Sequence, residues 1–253
     1  MAEIPATRRR FLQNTSLLSA GLLAPQLSLA GQDHPAPSDK DKDKDKDKDK
    51  DKEKDKAKGD QGISPAEDLM REHGVLNRVL LIYDHHVHLL AAKKSFDGSV
   101  LTGAAEIVRH FVEDYHEKLE ENFPFPRFRK ANQLVPLVDT LLAQHKAGRD
   151  LTAQIRELAA TATFRYVSDT DKLADALRAF IRMYRPHEAR EDTVLFPAFR
   201  GIVSPHEYDA LGDDFEKKED ELFGDDGFFK VVDQVAHLEN RIGIFELAQF
   251  TPQ

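Results

Sequence analysis

Cysteine is absent from all 253 residues. The chain therefore forms no disulfide and holds no thiolate-bound zinc or iron–sulfur cluster, so any metal must be held by histidine and carboxylate. The same absence suits an oxidising compartment. Long apolar runs are missing too. The best candidate, Leu17 to Leu29, is interrupted by Pro25 and is too short to span a bilayer well. No stretch alternates apolar and polar residues with period two between turn signals, so no sheet is predicted. Positive charge is in deficit, with 36 Lys and Arg against 45 Asp and Glu and a formal net charge of −9. That balance disfavours a nucleic-acid or anionic-membrane partner.

Residues 1–30 read as an export signal. Thr7-Arg8-Arg9-Arg10-Phe11-Leu12-Gln13 precedes the short apolar run, and Ser28-Leu29-Ala30 offers small residues for cleavage. The basic cluster resembles a twin-arginine signal, departing only at Gln13, and the resemblance implies export of an already folded protein to the periplasm. Removing this segment, with its three Arg and one Glu, takes the net charge to −11. Residues 31–64 read as a disordered linker: from Asp39 to Lys56 nine acids alternate with nine lysines. With no apolar face, nothing offsets the entropy of ordering that backbone.

From Pro65 onward the pattern is helical. Ser64-Pro65-Ala66-Glu67 supplies an N-cap, a first-turn proline and an acid at the third position. Helices are predicted from there to about Lys94, from Thr102 to about Glu121, and from near Ala131. This third helix is weakened at Gly148, and Asp150 is a candidate cap for its continuation to about Phe164. A fourth is expected from Ser168-Asp169, with Pro186 kinking it just before His187. Two more follow, from Ser204-Pro205 to about Phe223 and from Gly227 to about Arg241. The fold class is all-α: an up-down-up-down four-helix bundle over residues 65–203, with two additional C-terminal helices over 204–253 packed outside it.

One pattern occurs twice. His116-Glu117-Lys118-Leu119-Glu120-Glu121 is followed by Phe123-Pro124, and His187-Glu188-Ala189-Arg190-Glu191-Asp192 by Phe196-Pro197. Both read H-E-x-x-E-[E/D] and then a Phe-Pro stop. Residues four apart share a helix face, so each copy can aim an imidazole nitrogen and a carboxylate oxygen at one point. Two facing copies put two His and two Glu around a common centre, a mixed donor set that suits iron, manganese or zinc. His73 and His145 lie on the predicted apolar faces of two other helices. Burying several carboxylates together is costly unless a cation lies between them. The histidines of Asp84-His85-His86-Val87-His88 span more than one face and read as exposed. His110, His206 and His237 receive no role.

The segments Glu72-His73, Tyr115-His116…Glu120…Phe123-Pro124, Gln144-His145…Arg149 and Pro186-His187…Glu191…Phe196-Pro197 together resemble the hemerythrin-like HHE cation-binding domain. The resemblance covers about Ala66 to Phe199. It implies a non-haem centre of two iron ions, with metal ligands His73, His116, Glu120, His145, His187 and Glu191. His73 and His116 would cap one iron, His145 and His187 the other, and Glu120 and Glu191 would bridge them. The chain departs from oxygen-carrying hemerythrins at Arg149, where those have a further His, and at Glu191, whose acid stands four rather than five residues after the histidine. Open coordination positions follow, and with them chemistry on a small ligand: dioxygen, peroxide or nitric oxide. Glu117 and Glu188 are candidates to fill a position, and Arg149 is either a neutraliser of a carboxylate or a surface residue. The alternative function is metal buffering or storage without redox turnover; enzymatic oxidase or peroxidase turnover is a third reading. Spacing alone leaves manganese and zinc open as the metal, and no protein partner is indicated.

Overall fold

Ser64 and Ser204 open their helices in the same way. Each side-chain oxygen accepts the backbone N–H three residues on, from Glu67 at 3.3 Å and from Glu207 at 3.2 Å, with proline at the first helical position. The computed structural model describes residues 63–160 and 167–252. The export signal read over 1–30, and all but the last two residues of the linker read over 31–64, lie outside the described residues, as does the expected helix end at Phe164.

The described residues form helices and no strand. Helix α1 is Pro65–Ala91. Helix α2 (Gly98–Ile107) runs without interruption into a π-helical segment, Val108–His116, and then α3 (Glu117–Asn122). Short α4 (Pro124–Ala131) precedes α5 (Val135–Ala160). Helix α6 (Val167–Arg190) passes into a second π segment, Glu191–Leu195, and then short α7 (Phe196–Phe199). Helices α8 (Pro205–Phe223) and α9 (Gly227–Arg241) complete the fold.

Several boundaries differ from the sequence reading. Helix α2 begins at Gly98 rather than at the expected Thr102, because Asp97 accepts the Ser99 N–H and caps it. The helix expected from near Ala131 begins at Val135, and Pro124 opens a separate helix where the Phe-Pro run was read as a stop. The weak point at Gly148 does not exist. Helix α5 is continuous there, and a Cβ at that position would lie 2.0 Å from the Tyr184 hydroxyl oxygen. Glycine thus lets α5 and α6 approach closely. Helix α6 likewise continues through Pro186.

Helix α6 packs on α1 and α5, α2 packs on α5 and α1, and α8 and α9 pack against α1 and each other. Leu69, Leu76, Leu80 and Tyr83 of α1 meet Leu101, Phe111, Val138, Leu141, Leu177 and Phe180 in one continuous core. Tyr208, Leu211 and Phe215 of α8 and Val231, Val235 and Leu238 of α9 are buried in the same core. Helix α9 is also pinned by a 2.5 Å ion pair between Glu239 and Arg78. No helix among the described residues is long and apolar enough to cross a membrane.

Candidate metal centre

Four imidazoles are aimed from the outside. His116 Nδ1–H donates to the Glu72 carboxylate at 2.7 Å, and His187 Nδ1–H to Gln144 Oε1 at 3.0 Å. His73 Nδ1–H donates to Asp192 at 2.7 Å, and His145 Nδ1–H to Glu121 at 3.2 Å. Fixing Nδ1 in this way sets the ring orientation and leaves each Nε2 pointing inward. There they meet in two pairs. The rings of His73 and His116 have centroids 4.8 Å apart, with their Nε2 atoms at 3.1 Å, and the rings of His145 and His187 are 5.1 Å apart. Glu120 reaches both pairs, 3.7 Å from His116 Nε2 and 3.4 Å from His145 Nε2. Glu191 does the same, 3.4 Å from His73 Nε2 and 3.1 Å from His187 Nε2. The six residues singled out in the sequence therefore converge on one buried point.

The two motif copies do more than supply a His and a Glu. In each, the last acid holds the imidazole of a helix from the other half: Glu121 holds His145 and Asp192 holds His73. In each, the phenylalanine nine residues after the histidine stacks on that same imidazole. Phe125 lies 5.5 Å from His145 and Phe196 lies 5.6 Å from His73. The counterpart of Phe196-Pro197 is therefore Phe125-Pro126 rather than Phe123-Pro124. A π segment adjoins each copy, ending at His116 in one and starting at Glu191 in the other. Its wider i→i+5 turns, seen in Glu117 N–H to Val112 O and Phe196 N–H to Glu191 O, re-register the side chains around the ligand positions.

Both oxygens of Glu120 and both of Glu191, on side chains with no exposure, lack a hydrogen-bond partner, as does His145 Nε2. Unsatisfied buried acceptors of this kind are expensive, and a cation satisfies all of them together. Without one, protons take its place. Burial would lower the His73 pKa, but the hydrogen bond to Asp192 and the neighbouring Glu191 carboxylate overcome it and hold it up at about 10. Burial and the neighbouring Glu191 and Glu117 charges push Glu120 well above the usual carboxylate range. Glu191 sits well below that range, because His187 and His73 outweigh its burial. His145 is pushed down to about 4, and His116 well below its ordinary value, mainly by burial. The groupings Glu120–His145–His187–Glu191 and His73–His116–Glu120 each bring their ligand atoms within 4.8 Å of one another. The donor set and its unpaired atoms fit metal binding.

The hemerythrin HHE cation binding domain matches residues 64–199 of this sequence, and again residues 137–224. The first match covers more than half of the chain. The chain belongs to the hemerythrin HHE family. An uncharacterized protein of Mycobacterium bovis and one of Mycobacterium tuberculosis are each 44% identical to this chain over 190 residues, spanning 75% of this chain and 74% of theirs. No solved structure matches. The family's cation-binding domain implies metal ions, typically iron, and small ligands, and the His and Glu clusters are compatible with that.

The other residues weighed in the sequence fall into place around the centre. Glu117 is buried, accepts the Tyr184 hydroxyl at 2.8 Å and pairs with Arg149 at 2.6 Å. Glu188 is buried and accepts Asn77 Nδ2 at 2.5 Å. Arg149 is half-buried and bonds Glu121 as well, so it neutralises carboxylates rather than facing solvent alone. Of the histidines read as exposed, His86 is fully buried, correcting that reading. Its Nδ1–H donates to the Ile82 carbonyl at 2.7 Å, and Phe96 meets its ring edge-on at 5.2 Å. His88 is exposed and His85 half-buried. Glu72, Gln144, Glu121 and Asp192 were not recognised as functional from the sequence. Their signals were present: an acid or amide directly before His73 and His145, and the final acid of each motif copy.

Proposed function

We propose that this chain is an exported non-haem di-iron protein that binds or reacts with a small ligand: dioxygen, peroxide or nitric oxide. His73 and His116 would hold one iron, His145 and His187 the other, and Glu120 and Glu191, which reach both imidazole pairs, would be shared between them. The scaffold is an up-down-up-down four-helix bundle of α1, the rod from residue 98 to 122, α5 and α6, a reading supported by the way each of these packs on its two neighbours. The observation that carries the proposal is the set of four unpartnered carboxylate oxygens lying between two inward-facing imidazole pairs.

Bound iron supplies one-electron chemistry and open positions for a small ligand. The chain's own residues do the rest. Glu72, Gln144, Glu121 and Asp192 lock the imidazoles in one tautomer and orientation, and Phe125 and Phe196 cover two of the rings and keep water from them. Export is supported by the Arg8-Arg9 cluster and suits loading of the metal before translocation.

Elemental analysis of protein purified from its native compartment, with an optical spectrum of the same sample, tests the reading. About two irons per chain with a near-ultraviolet oxo-to-iron band are expected, and both are lost in the His116→Ala/Glu120→Ala variant. Zinc, one metal or none leaves metal buffering or a purely structural helical bundle as the better account, and undiminished iron in the double variant overturns the ligand assignment.

A further inference from the structure

The two halves of the centre are arranged alike, but they differ in the residue four positions after the helix histidine. Four residues after His73 on α1 stands Asn77, and four residues after His145 on α5 stands Arg149. Each reaches the acid that follows the motif histidine of another helix: Asn77 holds Glu188, and Arg149 holds Glu117. The two grips differ in kind. Asn77 is a neutral amide, partly engaged with the His73 carbonyl at 3.1 Å, and it occupies only Oε2 of Glu188; Oε1 is buried without a hydrogen-bond partner. Glu117 accepts the Tyr184 hydroxyl on Oε1 at 2.8 Å, and its Oε2, which has no hydrogen-bond partner, is ion-paired with the Arg149 guanidinium at 2.6 Å. Arg149 is itself anchored to Glu121 at 2.6 Å, and the glycine at 148 makes the space that the Tyr184 hydroxyl occupies.

We infer that Arg149 and Tyr184 are positioning residues that hold Glu117 off the metal flanked by His145 and His187, and so make that metal the one that takes the exogenous ligand. The inference rests on the di-iron reading above. Glu117 directly follows His116, and its carboxylate lies within 4.8 Å of Glu121 and of one His145 nitrogen. A carboxylate that close, if released, competes for the open position. A charged, bidentate-capable guanidinium together with a phenol is the strongest restraint the two neighbouring helices can apply to it. On the opposite side, Glu188 has an oxygen to spare and only an amide to leave, so the His73–His116 metal is the one able to recruit a further carboxylate. The two metals are thus unequal although their imidazoles and bridging glutamates are arranged alike.

The test is nitric oxide binding to the reduced, iron-loaded protein, followed optically, together with iron retention against a chelator. Nitric oxide is neutral, so loss of the guanidinium charge does not by itself weaken it. Arg149→Met is expected to weaken nitric oxide binding at least about tenfold and to slow iron loss, as Glu117 takes the open position. Arg149→Met/Glu117→Gln removes both the restraint and the competitor, and is expected to restore the starting affinity. It also removes the buried carboxyl that the single variant leaves without its ion-pair partner. Tyr184→Phe, which leaves every charge in place, is expected to shift affinity in the same direction by a smaller factor. Unchanged nitric oxide affinity in Arg149→Met or in Tyr184→Phe, or failure of Glu117→Gln to restore it, overturns the inference. A parent protein that holds no iron refutes the di-iron reading itself, a result distinct from either.

Discussion

Replacing Gly148 by alanine sets two ordinary effects against each other. In the interior of a helix this change normally stabilises by about 1 kcal/mol, because alanine loses less backbone entropy. At residue 148 of α5 the new Cβ would lie 2.0 Å from Tyr184 Oη and 2.8 Å from Cζ, so the ring must move. Tyr184 is buried, so the displaced ring must push into the surrounding core. Overpacking of this kind costs about 1–3 kcal/mol, and losing the hydroxyl's hydrogen bond to Glu117 about 1.5–3 kcal/mol more, so the net is a destabilisation of about 2–5 kcal/mol. In urea, with a slope of about 2–3 kcal/mol per M, the midpoint should fall by roughly 1–2 M. Gly74 on α1 is the internal control. It is exposed, with nothing within 4 Å of a Cβ, so Gly74→Ala should gain about 1 kcal/mol. Both variants are to be unfolded in urea under one metal condition, since bound metal raises apparent stability. A Gly148→Ala protein as stable as its parent would refute the close approach of α5 and α6 at this point.

Further outcomes follow from the same geometry. Metal loading at neutral pH should release about two protons per chain, because His73, held up at about 10, and Glu120, raised well above the carboxylate range, are both protonated in the metal-free protein and must deprotonate to ligate. Metal affinity should therefore rise with pH through neutrality; calorimetry in buffers of different ionisation enthalpy counts the protons, and a count of zero contradicts the protonation pattern. Glu121→Gln and Asp192→Asn should each weaken metal retention about 10–100-fold by loosening His145 and His73 respectively, measured by chelator competition. Arg78→Met should strand the buried Glu239 carboxylate, destabilise the packing of α9 on α1 by about 3–5 kcal/mol, and show as lost hydrogen-exchange protection in α9 before the rest.

Much of this protein was legible in one dimension. Absence of cysteine confined metal binding to His and carboxylate, and helical spacing with Ser-Pro caps at Ser64 and Ser204 located the helices to within a few residues. The repeated H-E-x-x-E picked out His116, Glu120, His187 and Glu191, because residues four apart on a helix must share a face. Its final acid was visible, but its target was not: Asp192 bonds His73 across 119 residues of chain, a pairing that only helix packing creates. The same holds for Phe125, whose ring is matched to Phe196 by what it stacks on rather than by the first Phe-Pro in reach. Gly148 shows the limit most plainly. Helix propensity marks glycine as a weak point, yet a close crossing with Tyr184 makes it the residue that fits, and local propensity carries no knowledge of what lies on the neighbouring helix. The sequence by itself determined which atoms were available as ligands and which helices carried them. Tertiary structure decided how each imidazole is oriented, which acids face the centre and which are held away, because those depend on partners brought close only when the helices pack.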